Sequence, residues 1–300
     1  MKPAVLVLVA LVALPVIEVA LHYRARAAVP AQEDWRQAAA FVRGELRASD
    51  LIASAPGWTD PHLRAVLGER IGPAMAGRSD TAAYARLWSL GIRGARPAEA
   101  AGRTPELTRG FGRVTVERFA LDRPTVAMDL VERVANGQAE VTAGARPCPH
   151  RRSPLPRGGG LGYGVLPPEQ RFQCDGNTWM AAVVMEDLAI KPRHCVYQPP
   201  GVGQPTRVVL RDVALSERLV LYAGLYYEHE RMRQGPPVVA TVRVDGRAMG
   251  TLTHHDGDGW ERLELATSPG TAEVAIEVLS TSRKQRGFCW AATVRHGAKP

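Results

Sequence analysis

The last third of the chain constrains its fold most. Val238, Ala240, Val242 and Val244 alternate with Val239, Thr241 and Arg243, and Asp245-Gly246 follows at once. A period of two sends alternate side chains to opposite faces of a strand, and Asp-Gly is a strong signal for a two-residue hairpin. Ala272, Val274, Ile276 and Val278 repeat the pattern, and Phe288, Trp290, Ala292 and Val294 repeat it again near the end. Turn signals stand between these runs at Pro199-Pro200-Gly201, Pro236-Pro237, Asp256 to Gly259 and Pro269-Gly270. Short alternating strands punctuated in this way predict a β-sandwich, jelly-roll in character, over residues 179–300.

Upstream the period changes. Trp35, Ala38, Ala39, Val42 and Leu46 recur at helical spacing, which predicts a helix over 33–47. Asp50 leads a short apolar strand, and Asp60-Pro61 reads as a helix start with Asp as cap and Pro in the first turn. Leu87 to Leu90 and the alternation Val114, Val116, Phe119 predict two more strands. Helices alternating with strands imply a small, Rossmann-like α/β layer domain over 31–143. Between Gly144 and Asn177, 13 of 34 residues are Pro or Gly, so 144–178 reads as a connector. The glycine run Gly158 to Gly164 fails as a phosphate cradle, because Pro167-Pro168 follows where a helix should open.

The N-terminus sets the expected compartment. Ala4 to Ile17 is apolar, and the run resumes after Glu18 as far as Leu21. Eighteen helical residues span about 27 Å, close to the thickness of a hydrocarbon layer. Ala25-Arg26-Ala27 offers a cleavage pattern, yet it stands far downstream of the apolar core. Residues 1–30 are therefore expected to be a transmembrane anchor, or else a cleaved signal. The bulk of the chain would lie in the periplasm as a single-pass inner-membrane protein. Cys148, Cys174, Cys195 and Cys289 agree with export. None is spaced as C-x-x-C, and three complete pairings are open. Cys148–Cys174 would close the Pro/Gly-rich loop, and Cys195–Cys289 would tie an early strand to the last.

Arg outnumbers Lys 34 to 4 and is scattered through the chain. The net charge of +8 is therefore compositional, and no nucleic-acid partner is expected. No metal or cofactor is expected either. His254-His255-Asp256-Gly257-Asp258 lacks a carboxylate at the twelfth position of a calcium loop and reads as a solvated turn. No G-x-S-x-G elbow is present. Asp212, Glu228 and Glu230 are the carboxylates a glycoside hydrolase would use, and His150-Arg151-Arg152 reads as a basic loop. Tyr222, Tyr226, Tyr227 and Trp260, with His255, are the candidate contacts for a glycan, since sugar rings stack on aromatic faces.

Several stretches resemble a known family. These are Glu33-Asp34-Trp35-Arg36-Gln37-Ala38-Ala39, Asp50-Leu51-Ile52, Phe111 to Phe119, Arg193-His194-Cys195-Val196-Tyr197 and Phe288-Cys289-Trp290. They are similar to the extracytoplasmic C-terminal region of bacterial membrane glycosyltransferases of the dolichyl-phosphate-mannose protein mannosyltransferase type. In that family the chemistry sits in membrane-embedded helices and an acidic first loop, whereas this sequence is expected to have one span and no such loop. The resemblance thus implies a context of surface or lipid-linked sugar without the transfer reaction. It points to a non-catalytic glycan- or protein-binding module, or to an accessory subunit docking on a membrane glycosyltransferase.

Overall fold

The computed structural model describes residues 3–155, 165–175 and 177–297, with backbone alone for 3–12 and 27. The glycine run at 158–164 lies outside the described residues. The chain forms two compact units, one of residues 1–71 and 84–123, the other of 72–83 and 124–300. These boundaries differ from the expected break at 143. Residues 124–147 carry strands that complete the sheets of the second unit, so hydrogen bonding rather than composition decides where they belong.

The first unit begins with helix α1 (Pro3–Ala27), over the apolar run. Much of that run concerns side chains outside the described residues. Among the described residues, no helix is long and apolar enough to cross a membrane. Leu14, Val16, Ile17, Val19 and Leu21 on α1 are nonetheless well exposed. Helix α2 (Gln32–Glu45) buries Trp35, Ala38, Ala39 and Val42, the face its periodicity assigns. Strand β1 (Asp50–Ala55) and helix α3 (Asp60–Leu67) follow; Thr59 takes the cap position, and Asp60-Pro61 forms the first turn instead. Strands β2 (Arg86–Ile92), β3 (Leu107–Phe111) and β4 (Val114–Ala120) complete a sheet of order β1-β2-β4-β3. Only β1 and β2 are parallel. The Rossmann-like expectation is corrected accordingly: Gly112-Arg113 joins β3 to β4 as a tight hairpin, with Gly112 at φ 55°, and a two-residue link forces antiparallel pairing. Asp50 is buried at the base of this sheet. It accepts hydrogen bonds from Arg86 Nε at 2.7 Å, Trp88 Nε1 at 2.9 Å and the Arg47 amide at 2.9 Å.

The second unit is a β-sandwich. Its elements are α4 (Pro73–Ala76), β5 (Val126–Asp129), α5 (Leu130–Ala135), β6 (Glu140–Ala143), β7 (Arg146–Pro147), β8 (His150–Arg152) and β9 (Gln170–Gln173). Then come β10 (Trp179–Glu186), β11 (Pro192–Tyr197), β12 (Thr206–Leu215), β13 (Arg218–Leu225) and α6 (Tyr227–Arg231). The last are β14 (Val238–Val244), β15 (Arg247–His254), β16 (Glu261–Ala266), β17 (Gly270–Leu279) and β18 (Phe288–Arg295). The larger sheet runs β16-β13-β18-β11-β10-β9-β8, with β5 also on β18; the smaller runs β15-β14-β17-β12-β6-β7. The predicted connector thus contributes β7, β8 and β9. Pro and Gly exclude a central strand but not an edge, and β7 and β8 end their sheets.

Strand alternation builds the core between the two layers. Leu219, Leu221, Ala223 and Leu225 of β13 and Trp290, Ala292 and Val294 of β18 share it with Val208, Leu210, Val238, Ala240, Val242, Val274, Ile276 and Val278. At the predicted hairpin, Asp245 and Gly246 take φ 47° and 77°, the left-handed pair that a tight β-turn requires. A polar side chain reaches across this core. Gln198 is fully buried, donates to the Thr206 and Ile276 carbonyls at 3.0 and 3.1 Å, and accepts from Trp290 Nε1 at 2.6 Å. Two disulfides select one of the three pairings, Cys148–Cys174 and Cys195–Cys289.

Candidate functional site

The same alternation that fills the core sends Val220, Tyr222 and Gly224 of β13 to the outer face of the larger sheet. Cys195 and Tyr197 of β11 and Cys289 and Ala291 of β18 lie on that face too. There Met185, Cys195, Tyr226 and Cys289 are buried as a second apolar cluster, against which Val183, Tyr197, Tyr227 and Trp260 pack. The Cys195–Cys289 bridge therefore forms the floor of an aromatic surface.

Gly224 shapes that surface. A Cβ here would stand 2.9 Å from the Trp260 ring and 2.8 Å from the Gly259 carbonyl oxygen, so the missing side chain is the seat of the indole. Trp260 Nε1 donates to Ser79 Oγ at 3.1 Å, and the Arg193 guanidinium lies 5.4 Å from its ring centre. Arg193 is fixed in turn by Asp187 at 2.7 Å and by the Arg78 carbonyl at 2.9 Å. Tyr222 donates to Asp80 at 2.7 Å, and Arg295 pairs with the same carboxylate at 2.8 Å. Burial works to raise the Asp80 carboxyl, yet the Ala82 amide, the Tyr222 hydroxyl and Arg295 outweigh it and hold it below its ordinary value. Segment 72–83 is thus strapped across this end of the face, and the His194 amide donates to the Gly77 carbonyl at 2.7 Å.

Beyond the strap, Trp179 and Tyr197 stack with ring centres 4.4 Å apart and planes 25° from parallel. Tyr226 meets Tyr227 edge-on at 4.8 Å and His229 at 5.5 Å. Burial pushes the Tyr197 phenol up to about 12 and the Tyr226 phenol well above its usual value, so both stay protonated donors at neutral pH. Trp179, Tyr197, Tyr227 and Trp260 keep part of their surface exposed, whereas Tyr226 is 9% exposed and belongs to the floor.

Among the candidate contacts, the structure brings Tyr226, Tyr227 and Trp260 together. His255 is exposed on the turn between β15 and β16, and its amide donates to Asp258. Sequence reasoning missed Trp179, Tyr197 and Arg193. Their outward register with Cys289 and Gly224 emerges only once β10, β11, β18 and β13 pair. The hydrolase carboxylates are not assembled: Asp212 is exposed at a bulge of β12 in the smaller sheet, while Glu230 is buried on α6, which follows β13 of the larger. The basic loop is strand β8, where Arg152 binds Glu169. The expected solvated turn is partly corrected, since His254 is fully buried: it ends β15 on the inward phase of the strand, where Glu261 and Glu230 satisfy and face its ring.

No family model and no curated protein matches this chain. Among solved structures it is similar to the CBM51-2 and INT domains of Clostridium perfringens ZmpB in complex with GlcNAc, at 12% identity and TM-score 0.31, over 39% of this chain and 25% of that one. The match thus spans a quarter of that chain's length. It is also similar to the C-terminal CBM6 of LamC from Zobellia galactanivorans (11%, TM-score 0.25, 38% and 87% covered). A third is a β-1,3-glucan-binding CBM6 from Bacillus halodurans (10%, TM-score 0.27, 39% and 86%).

Proposed function

We propose that this chain is a non-catalytic glycan-binding module that uses the outer face of the larger sheet. The observation that carries the reading is the grouping of half-exposed aromatics, Trp179, Tyr197, Tyr227 and Trp260, on a rigid disulfide-bonded floor. Aromatic rings held at fixed tilt offer apolar area with little entropy left to lose, and the apolar C–H face of a pyranose stacks on such a ring. Arg193, Glu228 and the Tyr227 hydroxyl, which donates to Glu228 at 3.1 Å, supply polar partners at the rim. The exposed apolar side chains of α1 and the two disulfides support a place outside the cytoplasm, held to a membrane. A sugar context also follows from the resemblance to glycosyltransferase tails.

The test is a glycan array followed by calorimetric titration of the full chain, with Trp179→Ala and Tyr227→Ala variants whose melting curves match the parent. Loss of one stacked ring is worth about 0.5–1.5 kcal/mol, so affinity should fall roughly two- to tenfold per variant. No binding to any envelope glycan, or variants that bind as the parent does, would refute the proposal.

A further inference from the structure

A different part of the second unit carries chemistry that glycan stacking leaves unused. At the end of β15, His254 is fully buried, its Nδ1 lying 2.7 Å from Glu261 Oε2. Its Nε2 stands 3.5 Å from Glu230 Oε1, and Glu230 is itself fully buried. Both His254 Nε2 and Glu230 Oε2 lack a hydrogen-bond partner. Buried polar atoms are rarely left so. Gly257 and Gly259, at φ 105° and 74°, fold the turn back so that Asp258 faces the same imidazole. His254, Asp258 and Glu261 each offer one ligand atom, all within 4.8 Å of one another. Three carboxylates therefore converge on one imidazole. The cations beside them are engaged elsewhere or exposed: Arg286 pairs with Asp256, and the exposed His255 ring lies 3.4 Å from Asp258.

We propose that this turn binds a divalent transition-metal ion of the zinc class, ligated by His254 Nδ1, Asp258 and Glu261. Bonds of about 2.0–2.2 Å place tetrahedral ligand atoms about 3.4 Å apart. The partly exposed Asp258 and Glu261 side chains reach that spacing by rotation. An imidazole among carboxylates selects zinc over calcium or magnesium. Metal-bound histidine donates its other ring N–H to a carboxylate, and the unpartnered Nε2 opposite Glu230 is in place for that bond. Glu230 is thus a positioning residue, and solvent on the Asp258 side supplies the fourth ligand.

The experiment uses the full chain without a histidine tag, stripped of metal and titrated with ZnCl2, CoCl2 and CaCl2 by calorimetry, visible absorption and thermal melting. The expected result is one Zn2+ per chain, a raised Tm, visible Co2+ bands and weaker binding of Ca2+. Because His254→Ala removes a core side chain, the decisive variant is the solvent-facing Asp258→Asn, which should weaken Zn2+ at least tenfold with an unchanged metal-free Tm. Glu230→Gln should weaken it roughly 10–100-fold. Absence of heat and of any Tm shift at millimolar Zn2+, Asp258→Asn binding as the parent, or Ca2+ binding more tightly than Zn2+ would overturn the site. Glu230→Gln binding as the parent would overturn the positioning role.

Discussion

Removing the Cys195–Cys289 bridge should destabilise the sandwich more than removing Cys148–Cys174. The bridges span sequence separations of 94 and 26 residues. Loop-closure entropy restored to the unfolded chain then amounts to about 4.7 and about 3.5 kcal/mol. Packing acts in the same direction. Cys195 and Cys289 are fully buried beneath the aromatic face, whereas Cys174 is only half-buried, so truncating the first pair leaves the larger void. The assay is urea unfolding of the paired variants Cys195→Ala/Cys289→Ala and Cys148→Ala/Cys174→Ala, followed by tryptophan fluorescence, since Trp179, Trp260 and Trp290 all report on this unit. The expected gap is at least about 1 kcal/mol. Equal losses, or a reversed order, would refute the assignment of Cys195–Cys289 as the main staple.

Gln198→Leu should cost about 1–3 kcal/mol, because it leaves the buried Trp290 N–H without its acceptor; a parental Tm would contradict the bridging role. Burial works to raise the Asp50 carboxyl, but Arg86, the Arg47 amide and Trp88 together hold it below its ordinary value. Its folded value being depressed, the stability it contributes is present above the unfolded value of about 3.9 and is lost as pH falls through the lower folded one. Asp50→Asn should flatten the acid limb of the first unit's unfolding curve, and superimposable acid limbs for parent and variant would count against this.

Local periodicity made much of the fold legible. The buried stripe of α2, the strands β14, β17 and β18, and the Asp245-Gly246 turn follow from patterns a few residues long, because side-chain direction is fixed by the backbone period alone. The proline- and glycine-rich stretch misled for the same reason. Composition weakens a strand's own propensity, yet β7, β8 and β9 need only an edge to pair with, and a neighbouring strand supplies it. The candidate face was half legible. Tyr226 and Tyr227 are neighbours along the chain, while Trp260 lies 33 residues further on. Trp179 and Tyr197 join them through the pairing of β11 with β18 and of β18 with β13, strands remote in sequence.

The sequence by itself determined the two classes of secondary structure, the apolar N-terminal helix and the presence of paired cysteines, all consequences of short-range sterics and composition. Tertiary structure alone decided which cysteines meet, that Gly224 seats Trp260, that segment 72–83 straps the second unit, and that His254 is buried among three carboxylates. Each of these depends on strand register, which long-range hydrogen bonding and the burial of one face select together.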